Sequence, residues 1–117
     1  MLPHQAVLLC AGWAAQQGDI NRVYFYGSRV WGAPRANSDL DILVVANPGT
    51  MICCSQKWSS QLSQLLGFTV HLNDYFTADR DLVGKIKLKG ILAFSRNRDE
   101  SDFYFEDELP EFDPNEN

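Results

Sequence analysis

The amino-acid sequence predicts an α/β fold of the α+β kind, with a small mixed central sheet flanked by helices. Two runs of aromatic and β-branched residues, Val23-Tyr24-Phe25-Tyr26 and Ile42-Leu43-Val44-Val45, read as strands. Segments of helical length stand on either side of them: residues 6–15, almost wholly apolar, and residues 51–66, with apolar residues at helical spacing. A third segment alternates Phe68, Val70 and Leu72 with Thr69, His71 and Asn73, the period of a half-buried strand. Strands and helices interleaved within 117 residues make one domain large enough for its own core.

Pro3 can open a first helix through about residue 17, ended by Gly18-Asp19. The run at 6–15 is about half of what a membrane span needs, so it reads as the buried face of that helix. Residues 22–26 form the first strand and residues 28–31 a short helical turn. Gly32-Ala33-Pro34-Arg35-Ala36-Asn37-Ser38 is a loop by composition. Residues 39–45 form the second strand, whose end is apolar on both faces and therefore central in a covered sheet. Asn47-Pro48-Gly49-Thr50 is a turn. The helix at 51–66 places Trp58, Leu62, Leu65 and Leu66 on one side, and Gly67 stops it. Residues 68–73 are the third strand. Thr77 caps a last helix through about residue 89, Gly90 closes it, and residues 91–94 pack as a short strand.

Charge divides the chain. Residues 1–96 carry nine Lys/Arg against six Asp/Glu, a net +3, and residues 97–117 carry nine acids against Arg98 alone, −8, giving −5 overall. Residues 1–96 are therefore read as the globular domain and 97–117 as an acidic, partly disordered tail. Within the tail, Phe103-Tyr104-Phe105 is an aromatic knot able to dock on the body or on a partner. An acidic chain repels phosphates, which argues against direct nucleic-acid binding. At 45% hydrophobic and 21% charged, with no cationic residue ahead of the apolar run, the expected class is an ordinary soluble cytoplasmic protein, not a secreted or membrane one. Three cysteines, Cys10, Cys53 and Cys54, have no paired or zinc-type spacing and read as reduced thiols.

The chemistry concentrates between the first two strands. Gly27-Ser28 leaves the first, and Asp39-Leu40-Asp41 opens the second. Alternate strand residues point to one side, so Asp39 and Asp41 project together. Two like charges on one face repel, and holding a divalent cation is the common reason to build that pair. The glycine-serine turn can offer backbone N–H groups and a hydroxyl to phosphate oxygens. Cation and phosphate cradle together indicate a nucleoside triphosphate and phosphoryl-type chemistry.

Gly27-Ser28-Arg29-Val30-Trp31-Gly32 followed by Ser38-Asp39-Leu40-Asp41 resembles the GSR-x-x-G…SDxD motif of the minimal nucleotidyltransferases, within the polymerase-beta-type nucleotidyltransferase superfamily. Ten residues separate Ser28 from Asp39, as in that family, and the flanking strands give the right context. The likeness spans roughly residues 5–95. It implies a nucleotidyltransferase fold in which Asp39 and Asp41 bind Mg2+ (or Mn2+), Gly27 and Ser28 hold the β/γ-phosphates of ATP, and Arg29 meets a phosphate or pairs with a carboxylate. Arg35, in the loop over the site, reads first as a solvated loop charge and second as a cation that reaches a phosphate. Active relatives carry a third carboxylate, in a pattern like V-D-L, that completes the metal shell and acts as general base. Here Val70-His71-Leu72 occupies that place, so His71 joins Asp39 and Asp41 as a candidate catalytic residue. Asp74 lies near but falls on the opposite face by alternation.

The leading expectation is transfer of an NMP, AMP from Mg-ATP, to a hydroxyl of a protein partner. The resemblance to MntA-like antitoxins implies a small helical HEPN-type toxin as that partner. The alternative is a catalytically degenerate nucleotide- or partner-binding module, suggested by His71. Aminoglycoside-type modification and templated polymerisation both need further domains, and the chain length argues against them.

Overall fold

Eight elements follow one another in the computed structural model, which describes residues 3–32 and 39–96: α1 (Pro3–Ala15), β1 (Ile20–Tyr26), α2 (Ser28–Trp31), β2 (Leu40–Ala46), α3 (Thr50–Leu66), β3 (Val70–Asp74), α4 (Arg80–Lys89) and β4 (Ile91–Ser95). The readings of Arg35, of the loop around it and of the segment at 97–117 with its aromatic knot lie outside the described residues. The strands form one sheet in the order β3-β2-β1-β4. β1 pairs antiparallel with β2 and with β4, while β2 and β3 are parallel, so the sheet is mixed. The parallel pair needs a crossover, and α3 supplies it.

Strand alternation divides β2 between two cores. Leu40, Ile42, Val44 and Ala46 join α1 and α3 through Ala6, Cys10, Ala14, Trp58, Leu62 and Leu66. Leu43 and Val45 join Tyr24, Tyr26 and the α4 residues Val83 and Ile86 on the other face. The continuous apolar run of β2 is thus that of a strand covered on both sides.

Several local readings need correction. The run at 6–15 is not wholly a buried face. Ala6, Cys10 and Ala14 are buried, at helical spacing of four, whereas Leu8 is 68% exposed. A helix lying on a sheet buries one stripe, and small residues on that stripe let it lie close. Burial pushes the Cys10 thiol up to about 12, which makes it inert. In α3, Met51, Trp58, Leu62 and Leu66 are buried and Leu65 is turned out. The last helix begins at Arg80 because Asp79, not Thr77, is its cap: the Asp79 carboxylate accepts the Leu82 N–H at 3.2 Å. The Thr77 hydroxyl donates instead to the Asp74 carbonyl at 3.5 Å. Gly67 ends α3 in the left-handed conformation, φ 84°, as expected of that residue.

Two devices close the edges of the body. Beside edge strand β3, the Ser59 hydroxyl donates to the Val70 carbonyl at 3.2 Å and the Val70 N–H donates to the Ser63 hydroxyl at 3.1 Å. Past β4, Arg96 donates to the carbonyls of Ile20 at 2.8 Å, Ala14 at 3.1 Å and Gln17 at 2.8 Å, occupying the C-terminal end of α1. Among the described residues, no helix is long and apolar enough to cross a membrane.

Candidate functional site

The end of β1 and the beginnings of β2 and β3 meet at one end of the sheet. Register places Tyr26 opposite Asp41, and Asp41 beside His71. These three residues form one rung across three strands, so their side chains emerge on the same face. His71 Nδ1 lies 3.4 Å from Asp41 Oδ1, with the imidazole 60% and the carboxylate 29% exposed. The structure therefore brings Asp41 and His71 together.

Gly27 follows Tyr26 with φ 88°, in the left-handed region, and turns the chain into α2. A Cβ at this position would stand 2.1 Å from Asp41 Oδ2. Residue 27 must therefore be glycine for two independent reasons, its backbone angle and the carboxylate pressed against it. The Gly27 carbonyl accepts the Val30 and Trp31 N–H groups at 2.9 and 2.8 Å, which folds the turn over the head of β2. Gly27 itself is the N-cap of α2 and no side chain caps the helix, so Ser28, exposed as its first residue, is not the cap.

Asp39 is exposed and stands one residue ahead of β2, whose ladder starts where the Leu40 N–H meets the Thr69 carbonyl at 2.9 Å. Arg29 lies with its guanidinium 4.5 Å over the Phe68 ring, a cation–π contact that orients it across the start of β3. Asp74 is directed away from the site, as alternation requires, and its carboxylate accepts the Phe76 N–H at 3.1 Å in the turn after β3.

Tyr26, within the rung, and Asn73, two residues beyond His71, were not singled out from sequence. The Asn73 amide donates to the Tyr26 hydroxyl, joining β3 to β1 across β2. Burial raises the Tyr26 pKa, the bond from Asn73 lowers it, and the Asp41 charge raises it further; the net direction is upward. Tyr26 thus stays a neutral phenol under the carboxylate. The Trp31 ring stands 5.8 Å from that of Tyr26 and carries Lys85 Nζ 4.5 Å from its own centroid. Alternation could have found Asn73, two residues beyond His71, but its bond to Tyr26 needs the three-strand register. On the other side of His71 an open groove of about 360 Å³ runs between α3 and β3, lined by Ser55, Gln56, Ser59, Ser60, Val70, His71 and Leu72.

Among the described residues, no group of three or more His, Cys, Asp or Glu is gathered closely enough to hold a metal ion. The donor chemistry still fits a cation that takes part of its shell from elsewhere. Asp41 and His71 offer two donors side by side, with Asp39 two residues upstream, and divalent ions in nucleotide sites keep water and phosphate oxygens.

Comparison with known proteins bears on the family and the fold. A family model described as polymerase beta, nucleotidyltransferase, matches residues 10–99. No curated protein matches in sequence. Among solved structures, a toxin–antitoxin complex with AMP-PNP is similar with TM-score 0.71 and 20% identity over 95% of this chain and 86% of that chain. A complex of an MNT antitoxin with a tri-AMPylated HEPN toxin from Shewanella oneidensis is similar with TM-score 0.60 and 15% identity, over 93% of this chain and 90% of that chain. A protein described as a minimal nucleotidyltransferase is similar with TM-score 0.58 and 26% identity, over 74% of this chain and 85% of that chain.

Proposed function

The chain belongs to the polymerase beta nucleotidyltransferase family, and from that premise we propose that it transfers a nucleoside monophosphate, AMP from ATP, to a hydroxyl of a partner protein. One observation carries the reading: the Asp41 carboxylate is seated against a glycine that admits no side chain, in one rung with His71 and beside the exposed Ser28. The AMP-PNP of one similar complex and the AMPylated HEPN toxin of another support adenylyl transfer and a small helical HEPN-type partner, with this chain on the antitoxin side.

In this reading Gly27 and Ser28 donate to the β/γ-phosphates, and Arg29 fixes the turn that carries them. Asp39 and Asp41 would hold Mg2+ or Mn2+, which offsets the charge of the triphosphate and of the leaving pyrophosphate. The acceptor oxygen bonds the α-phosphorus, the bond to the oxygen bridging to the β-phosphate breaks, pyrophosphate leaves, and the hydroxyl proton passes to the His71 imidazole on the open side. The neutral Tyr26 hydroxyl and Asn73 hold the strands in register below. The proposed setting is the cytoplasm.

His71 also favours a second reading, a module that binds nucleotide or partner without turnover, because an imidazole brings no negative charge where relatives carry an acid. Both readings are separated by incubating the protein and its co-purifying partner with α-labelled ATP. Transfer should label the partner, and Asp41→Asn should reduce the label by about a hundredfold or more. Label that persists unchanged in Asp41→Asn overturns the assignment, and nucleotide binding without label selects the binding module.

A further inference from the structure

The geometry points to the outer edge of β3 as the seat of the acceptor: an extended, uncharged segment of the partner protein adds to the sheet beside Leu72 and sets its hydroxyl residue next to His71. The inference rests on the transferase reading above and says how the acceptor of that reaction is held. β3 is an end strand of the sheet. The Thr69 carbonyl meets the Leu40 N–H and the Tyr75 N–H meets the Val44 carbonyl, so the odd-numbered residues of this stretch turn their main chain toward β2. The even-numbered ones, Val70, Leu72 and Asp74, turn theirs outward. α3 covers Val70, because Ser59 and Ser63 take up both of its main-chain groups. The Asp74 carbonyl is covered by the Ala78 N–H at 2.9 Å. Leu72, between them, has neither group bonded among the described residues. Native sheets usually cover such an edge, and a pair of main-chain groups left outward is a template for another strand.

The groove of about 360 Å³ between α3 and β3 opens on this residue. Its helical wall is Ser55, Gln56, Ser59 and Ser60, one uncharged face of α3. A strand added here exchanges two main-chain bonds with Leu72. Neighbouring strands lie about 4.8 Å apart and share the faces on which their side chains stand. The incoming residue beside His71 thereby becomes the fourth member of the rung of Tyr26, Asp41 and His71. Its hydroxyl then lies in reach of the imidazole, 60% exposed, that takes the proton. The residues before and after it turn toward the serine wall, which offers hydroxyls and an amide but no counter-charge. Short uncharged side chains fit there, and a charged one meets no partner.

The test uses the full chain with Mg2+, a non-hydrolysable ATP analogue and end-blocked seven-residue peptides of glycine, alanine and glutamine around a central tyrosine, threonine or serine. Amide exchange followed by NMR should slow at Leu72 when a peptide binds, by about fivefold or more, and stay as it was at His71 and Asn73. The same peptide with proline on each side of its central residue lacks the donor and should bind about fivefold more weakly. In the chain, Leu72→Pro removes an N–H that the ladder does not use, and Ser60→Arg fills the groove from an exposed helix position. Each should weaken peptide binding by about fivefold or more with native affinity for the analogue, and Ser60→Arg decides if Leu72→Pro fails to fold. Exchange at Leu72 that no peptide alters at millimolar concentration, or native peptide affinity in Ser60→Arg, overturns the inference. Protection of Leu72 that grows with the chain's own concentration instead gives the edge to a second copy, and overturns it too. A peptide that protects Leu72 but takes no label from α-labelled ATP keeps the docking edge and overturns the transferase reading.

Discussion

At the scale of the residue, the candidate site is legible where its logic is local and hidden where it depends on register. Gly27, Ser28, Asp39 and Asp41 announce themselves by type and spacing, because a turn and the strand that follows it leave marks within a few positions. The contact between Gly27 and Asp41 spans the sheet pair and depends on register. The bond between Asn73 and Tyr26 left no such mark, since the partners stand 47 residues apart. Gly27 gives a sharp prediction. In Gly27→Ala the new Cβ meets the Asp41 carboxylate and the backbone stays at φ 88°. The variant should lose about 1–3 kcal/mol of stability, read from its denaturant midpoint. It should lose nucleotide affinity more steeply than that, because the carboxylate must swing aside. A variant with native stability and native affinity would show that the turn tolerates a side chain.

At the scale of the element, all eight were readable, and the errors fell at their ends and faces. Thr77 and Asp79 are both good caps, and the turn at Asp74 decided between them by engaging Thr77 first. Helix α1 was harder, because a helix apolar all round gives no sequence signal for the stripe it buries. Cys10 marks that stripe, and it supplies a pH prediction. Its folded pKa of about 12 lies above its ordinary 9.0, because burial disfavours the thiolate. The unfolded chain therefore releases this proton first as pH rises. The stabilisation is complete below pH 9 and is lost on the way to about pH 12. Each pH unit in that window should remove about 1.4 kcal/mol in the native chain. Cys10→Ala should show a correspondingly flatter profile in denaturant titrations, and equal slopes for both proteins would remove the thiol as the cause.

At the scale of the whole molecule, the division of charge falls just past β4, where Arg96 binds back to the body. The Arg96 N–H donates to the Asn21 carbonyl at 2.9 Å, and its guanidinium fastens the end of α1 to the entry of β1. Arg96 thus fastens the end of β4 to the C-terminal end of α1. The domain is therefore proposed to be residues 1–96, with residues 97–117 as an appended acidic segment. Truncation after Arg96 should leave the unfolding free energy within about 0.5 kcal/mol of the full chain. It should also change the net charge from −5 to +3, since the removed segment carries −8. A triphosphate approaching the truncated body no longer meets that negative field, so it should bind faster at low salt and lose the advantage as salt screens it. A large loss of stability would mean that the acidic segment packs on the body. Unchanged stability with unchanged binding kinetics would place its charge away from the rung of Tyr26, Asp41 and His71.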